Sequence, residues 1–184
     1  MEVTGPAGLS NGMIDYQTIA YRAATGTQVW AARYASSGGV AEADTVAVSP
    51  DTSRVFVTGW SVDGIGRHYY TTVAYHAATG TQLWVGQYSG IAYRLAVSPD
   101  GSKVFVTGQA PGAKPGATDY GTVAYNAATG AQEWARRYGT TGADTARAVV
   151  ASKAGVFVTG YIGYSCGLHG LDTCYKYETV AYQP

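Results

Sequence analysis

The sequence predicts an all-β domain built from one repeated unit of four short antiparallel strands, on three observations. The phrase Thr-Val-Ala-Tyr-x-Ala-Ala-Thr-Gly-x-Gln-x-Trp occurs three times, closing at Trp30, Trp84 and Trp134, with Ile19 in place of Val in the first copy. A second phrase, Val-Thr-Gly, ends at Gly5, Gly59, Gly108 and Gly160, at spacings of 54, 49 and 52 residues. The composition, with 25 Gly, 16 Tyr and only 13% charged residues, suits short strands joined by tight turns. Self-similarity at about 50 residues marks a modular architecture in which each unit buries its apolar faces against its neighbours.

Each unit divides into segments A to D. Segment A is Asp44 to Ser49, Tyr93 to Ser98 and Thr145 to Val150, rich in small residues as a crowded inner strand requires. Segment B is Arg54 to Gly59, Lys103 to Gly108 and Gly155 to Gly160. Its run of β-branched and aromatic residues predicts a strand buried on both faces. Between A and B lie Ser49-Pro50-Asp51-Thr52-Ser53 and Ser98-Pro99-Asp100-Gly101-Ser102. Pro presets the backbone there and Asp or Gly accepts the tight positions that follow, so A and B form a hairpin. Segment C is Tyr16 to Tyr21, Tyr70 to Tyr75, Tyr120 to Tyr125 and Tyr177 to Tyr182, in which bulky and small residues alternate with period two. The Ala-Ala-Thr-Gly turn then leads into segment D, which carries the tryptophan, and its Gly supplies the positive φ that the turn needs. Four antiparallel strands per unit is the pattern of a β-propeller blade.

The segments Ala20 to Trp30, Ala74 to Trp84 and Ala124 to Trp134 resemble the tryptophan-docking motif, Ala-x-Asp-x-x-Thr-Gly-x-x-x-Trp, of the pyrroloquinoline-quinone-like β-propeller repeat family. Ser98-Pro99-Asp100-Gly101-Ser102-Lys103-Val104-Phe105-Val106-Thr107-Gly108 resembles the related surface-layer-type propeller repeats. The resemblance covers nearly the whole chain and implies that Trp30, Trp84 and Trp134 stack against the neighbouring blade as structural docking residues. The Asp of that motif is replaced here by Arg22, His76 and Asn126, and by Gln183 in the unfinished fourth copy. The quinone and calcium ion of the family's dehydrogenases are held by further residues, among them adjacent cysteines. Cys166 and Cys174 are eight apart, so no cofactor is expected.

The strands run B, C, D, then A, B, C, D twice, then A, B, C: about three and a half blades in a single repeat domain spanning residues 1–184, with full units at 44–88 and 93–138 and partial ones at 1–34 and 145–184. The chain opens in mid-blade at Glu2-Val3-Thr4-Gly5 and stops before a further Ala-Ala-Thr-Gly, which reads as a piece of a longer propeller or as half of one. The expectation is a homodimer that completes the ring, with a monomer closing four blades on itself as the alternative.

Twelve Lys and Arg balance twelve Asp and Glu, so no net field attracts a nucleic acid or an anionic bilayer. No run of about 18 apolar residues is present to span a membrane. Met1-Glu2-Val3-Thr4-Gly5 is not the basic and apolar start of a secretory signal, yet the composition is that of exported bacterial β proteins, and a secreted or cell-surface location is expected. Cys166 and Cys174 bracket a Gly-rich segment, which reads as a loop closed by a disulfide, or else as two thiols in a reducing compartment.

The A–B and C–D turns are near copies of one another, whereas the B–C connections (Pro6 to Ile14, Trp60 to His68, Gln109 to Thr118, Tyr161 to Lys176) and the D–A connections differ in length and chemistry. In a four-stranded antiparallel blade these variable connections share one end. Trp60, Asp63, Arg67, His68, Lys114, Tyr161, Tyr164, His169 and Asp172 are therefore the candidate ligand-binding residues, an aromatic and polar set suited to a saccharide or a protein surface. The spacing of His68, His76 and His169 matches no metal motif, and no nucleophile elbow is present. A non-catalytic binding or scaffold module is the expected function. The alternative is a hydrolase using Asp44 and Asp144 at matching D–A positions, or a calcium- and quinone-dependent oxidoreductase, with its site at the channel mouth.

Overall fold

The computed structural model describes residues 2–8, 13–140, 142–167 and 172–183. Its strands form four antiparallel sheets, numbered here along the chain. The first holds β1 (Glu2–Gly8), β2 (Ile14–Tyr21) and β3 (Gln28–Tyr34). The second holds β4 (Ala41–Val48), β5 (Arg54–Val62), β6 (His68–His76) and β7 (Gln82–Ser89). The third holds β8 (Ile91–Val97), β9 (Lys103–Pro111), β10 (Thr118–Asn126) and β11 (Gln132–Tyr138). The fourth holds β12 (Thr145–Ser152), β13 (Gly155–Cys166) and β14 (Asp172–Tyr182). Each sheet is a meander, so every expected A, B, C and D segment falls on a strand in the expected order. No helix long and apolar enough to cross a membrane occurs among the described residues.

The core lies in three layers between consecutive sheets. Tyr16, Ala20 and Trp30 of the first sheet meet Val55, Val57, Val73 and Tyr75 of the second. Phe56, Tyr70, Ala74 and Trp84 on the other face of the second meet Leu95, Val104, Val106 and Tyr125 of the third. Phe105, Tyr120 and Ala124 then meet Val156, Val158 and Ile162 of the fourth. Strands β5 and β9 sit between two layers, which is why they carry apolar residues without alternation. Each inner strand packs back onto the preceding sheet: β4 on β1 and β2, β8 on β4, β5 and β6, and β12 on β8, β9 and β10.

Two contacts recur at each junction. The first tyrosine of each C strand reaches into the next sheet, where its hydroxyl donates to a backbone carbonyl: Tyr16 to Thr71 O at 2.9 Å, Tyr70 to Gly121 O at 3.2 Å and Tyr120 to Glu178 O at 3.2 Å. The tryptophan of each D strand stacks on the last tyrosine of the following C strand, and the first two also dock on the C–D turn beyond it. Trp30 Nε1 donates to Ala77 O at 2.7 Å and Trp84 Nε1 to Ala127 O at 3.1 Å. Their indoles lie against Gly80 and Gly130, where a Cβ would fall 2.7 Å and 2.6 Å from the ring. Trp134 stacks with Phe105 and with Tyr182 of the fourth sheet, at centroid separations of 5.8 and 5.6 Å.

The glycine of Val-Thr-Gly has an equally local cause. Strands β4, β8 and β12 each carry a bulge opposite it, between Ala43 and Thr45, Ala92 and Arg94, and Ala146 and Ala148. A Cβ on Gly59, Gly108 or Gly160 would lie 2.0–2.1 Å from a carbonyl oxygen of the bulged strand. Only glycine lets the two backbones approach this closely.

The segments read as B–C loops are strand at their ends, and the last is strand for most of its length. β5 runs through Trp60 to Val62, β6 starts at His68, and β13 with β14 extends the Tyr161 to Lys176 segment into a long hairpin. Strand pairing satisfies backbone groups that a loop would leave to solvent. Cys166 and Cys174 are joined in a disulfide near the tip of that hairpin, with Cα atoms 5.9 Å apart.

Candidate binding face

Hydrogen bonds tie the B–C hairpins to the D–A connections at one end of the sheets. Gly38 N donates to Val62 O and Val62 N to Val40 O; Gly90 N donates to His68 O, and Asp144 N to Thr118 O. The A–B and C–D turns meet at the other end, where Ala77 N donates to Ser53 O and Ala127 N to Ser102 O. The variable connections are thus gathered together, apart from the near-identical turns.

A cleft of about 610 Å³ opens at this end between the second and third sheets. Its walls include Arg67 and His68 from the β5–β6 hairpin, Ser89 and Gly90 from the β7–β8 connection, and Gln109 and Thr118 from β9 and β10. Among the described residues no carboxylate lines it. The Gln109 amide is oriented by hydrogen bonds from Nε2 to Thr118 Oγ1 at 2.9 Å and Thr145 Oγ1 at 3.3 Å. Trp60 supports the wall from β5, its ring centroid 5.3 Å from that of His68.

The remaining candidates divide. Asp63 is occupied within its own turn: its carboxylate accepts from the backbone N–H of Ile65 and of Arg67, both at 2.9 Å, and from the Tyr69 hydroxyl at 3.3 Å. These hydrogen bonds, the one from Arg67 N foremost, hold its carboxyl below the usual range. Lys114 is exposed in the β9–β10 turn, and its carbonyl accepts from Ala117 N. Tyr164 and Asp172 are exposed on the disulfide hairpin, opposite Cys174 and Cys166 respectively. His169 lies outside the described residues.

Tyr161 belongs to a second group that the sequence reading did not assemble. The three bulges put Asp44, Tyr93 and Arg147 at equivalent positions of β4, β8 and β12. The Arg147 guanidinium sits over the Tyr93 ring at 4.5 Å and near the Tyr161 ring at 5.6 Å, and its Nη2 donates to the Tyr161 hydroxyl at 3.4 Å. Hydrogen bonding with Thr145 and Arg147 lowers the Tyr161 pKa. The Asp44 carboxyl is pushed up to about 6, first by desolvation and then by Glu42, against the opposing pull of Arg94 and Arg147. The signal in the sequence that marks this group is the glycine closing the second, third and fourth Val-Thr-Gly, because Gly59, Gly108 and Gly160 report the bulge across the ladder.

A scan against protein-family models finds no match, and a search of curated proteins finds none either.

Two readings of the acidic residues are corrected by the register. Asp44 and Asp144 do not occupy matching positions: Ala43 and Ala146 both pair with the Val-Thr-Gly glycine, so Asp44 corresponds to Arg147. Asp144 is fully buried, and its side chain accepts from Gly163 N at 2.8 Å and from the backbone N–H and hydroxyl of Thr140. It pins the β11–β12 connection to β13, so its carboxylate is committed to the local fold. Cys166 and Cys174, bonded to each other across a hairpin, are not the adjacent pair of the quinone-dependent enzymes. Among the described residues no group of three His, Cys, Asp or Glu side chains is arranged to hold a metal ion.

Proposed function

We propose that the four sheets are blades of a β-propeller related to the pyrroloquinoline-quinone-like repeats, and that the chain is a secreted or cell-surface binding module. The ligand is a saccharide or protein surface bearing an anionic group, received in the cleft between the second and third sheets. The observation that carries this reading is that the variable connections and the Arg67, His68, Gln109 and Thr118 side chains converge at one end, while the turns at the other end are copies of each other. The Arg67 guanidinium, with no carboxylate lining the cleft among the described residues, favours an acidic ligand, and the imidazole, amide and hydroxyl groups favour one rich in hydrogen-bonding oxygens. The repeated tryptophan docking favours the propeller, and the disulfide accords with an oxidising compartment.

A glycan array and a peptide array, each probed with the native chain and with Arg67→Ala and His68→Ala, test the ligand. Signal confined to acidic ligands, falling at least tenfold in Arg67→Ala, supports the reading. Binding unaffected by both substitutions, or turnover in a hydrolase or dye-linked dehydrogenase screen without array signal, overturns it. Because Asp144 is a structural carboxylate, Asp44→Ala is the informative variant for the enzymatic alternative.

A further inference from the structure

The repeat supplies an internal standard for what each sheet face should touch. In the second and third sheets the face toward the next sheet presents Phe56, Tyr70 and Ala74, then Phe105, Tyr120 and Ala124, all buried. Their equivalents in the fourth sheet are Phe157, Tyr177 and Ala181, and these are exposed. Tyr16, Tyr70 and Tyr120 are each 0% exposed with their hydroxyls on the next sheet, whereas Tyr177 is 92% exposed. Val150, on the inner strand of the same sheet, is 57% exposed. The B and C strands of this three-stranded sheet thus present the tyrosine and phenylalanine of a docking face, without the tryptophan of a D strand, and with nothing seated on them among the described residues.

The first sheet carries the complementary face. Thr71, Gly121 and Glu178, whose carbonyls receive the tyrosines, each follow the first tyrosine of a C strand, and the residue at that register in β2 is Gln17. Ile19, the counterpart of the fully buried Val73 and Val123, is only half-buried.

We infer that the fourth sheet of one copy docks against the first sheet of a second copy, head to tail, repeating the tyrosine-to-carbonyl contact that each chain already makes three times. Tyr177 then donates to the Gln17 carbonyl of the other copy, and Phe157 and Val150 are covered by the face that bears Ile19. Two such junctions in a closed pair satisfy both exposed faces of both chains. The inference rests on the radial arrangement of sheets proposed above and not on the ligand; its readouts are mass and cross-linking, so its failure leaves the array experiment to stand or fall separately.

The test is multi-angle light scattering of the 184-residue chain, with Tyr177→Arg beside it and circular dichroism to verify that this exposed substitution leaves the sheets intact. The native chain should have twice the 19.2 kDa mass, and Tyr177→Arg should reduce it to 19.2 kDa. A native chain that is monomeric at every concentration, or a Tyr177→Arg variant that keeps the doubled mass, overturns the inference. Variants with one added cysteine beside the Cys166–Cys174 disulfide, Tyr177→Cys and Gln17→Cys, give a second measurement: a head-to-tail junction cross-links them when mixed. Cross-linking of Tyr177→Cys with itself alone would show the face pairing with its own copy and would overturn it too.

Discussion

Replacing Gly130 by alanine, with Gly26→Ala as its control, separates the two reasons why glycine occupies the Ala-Ala-Thr-Gly turn. Both residues adopt a positive φ, +73° at Gly130 and +69° at Gly26, so a Cβ at either costs about 1–2 kcal/mol for left-handed backbone. At Gly26 that is the whole effect, because no atom lies within 4 Å. At Gly130 the new Cβ falls 2.6–2.8 Å from Cδ2, Cγ and Cε3 of Trp84, along the body of the indole. The ring cannot swing aside without loosening its hydrogen bond to Ala127 O and its packing on Phe56 and Tyr125. Overpacking of this kind costs a further ~1–3 kcal/mol. Urea denaturation followed by circular dichroism should give a loss of about 1–2 kcal/mol for Gly26→Ala and about 2–5 kcal/mol for Gly130→Ala. Indole emission should shift to the red only in the second variant. Equal losses in the two variants would refute the docking argument and leave backbone conformation as the sole role of the glycine.

Thr52 is the one non-glycine residue with positive φ among those described, at 58°, and its counterpart in the next unit is Gly101 at +73°. Thr52→Gly should raise the urea midpoint with an unchanged slope, a gain of about 1 kcal/mol, and a loss would mean that the threonine side chain holds this turn. Hydrogen bonds from Ser49 and Ser53, and from Ser98 and Ser102, lower Asp51 and Asp100 from 3.8 to about 2, so these carboxylates support the fold above about pH 4 and their support is lost as pH falls toward 2. Asp44 has the opposite sign. With its carboxyl raised to about 6, its contribution is present below about pH 4 and is lost as pH rises through 6. Asp44→Asn should therefore flatten the stability profile between pH 4 and 6 while Asp51→Asn flattens it between 2 and 4, both read from urea midpoints across the range.

The strands were legible because their causes are local: β-branched runs in β5 and β9, alternation in β6 and β10, and turn residues between them leave direct marks on the sequence. The ends of the strands were not. Tyr161-Ile162-Gly163-Tyr164 looks like a loop by its glycine, yet Gly163 pairs with Tyr175 in the β13–β14 ladder and accepts from Thr140. Pairing with a distant partner decides such residues, and composition does not record the partner. The gathering of variable connections at one end followed from strand order alone, and hydrogen bonds such as Gly90 N to His68 O join them there. Asp44 and Asp144 were misaligned because the D–A connections differ in length and the bulge adds a residue that counting along the chain does not see. The same extra residue hid Tyr93 and Arg147.

A bulge leaves its extra residue outside the pairing scheme of the sheet. At Asp44, Tyr93 and Arg147 that residue is an acid, a phenol and a base on three otherwise similar scaffolds. The constraint that maintains each bulge resides elsewhere, in the glycine across the ladder. The chain therefore separates the residues that keep the geometry from those that express its chemistry, and a single codon change at any of the three positions alters charge or aromaticity without a new register, a new loop or a repacked core.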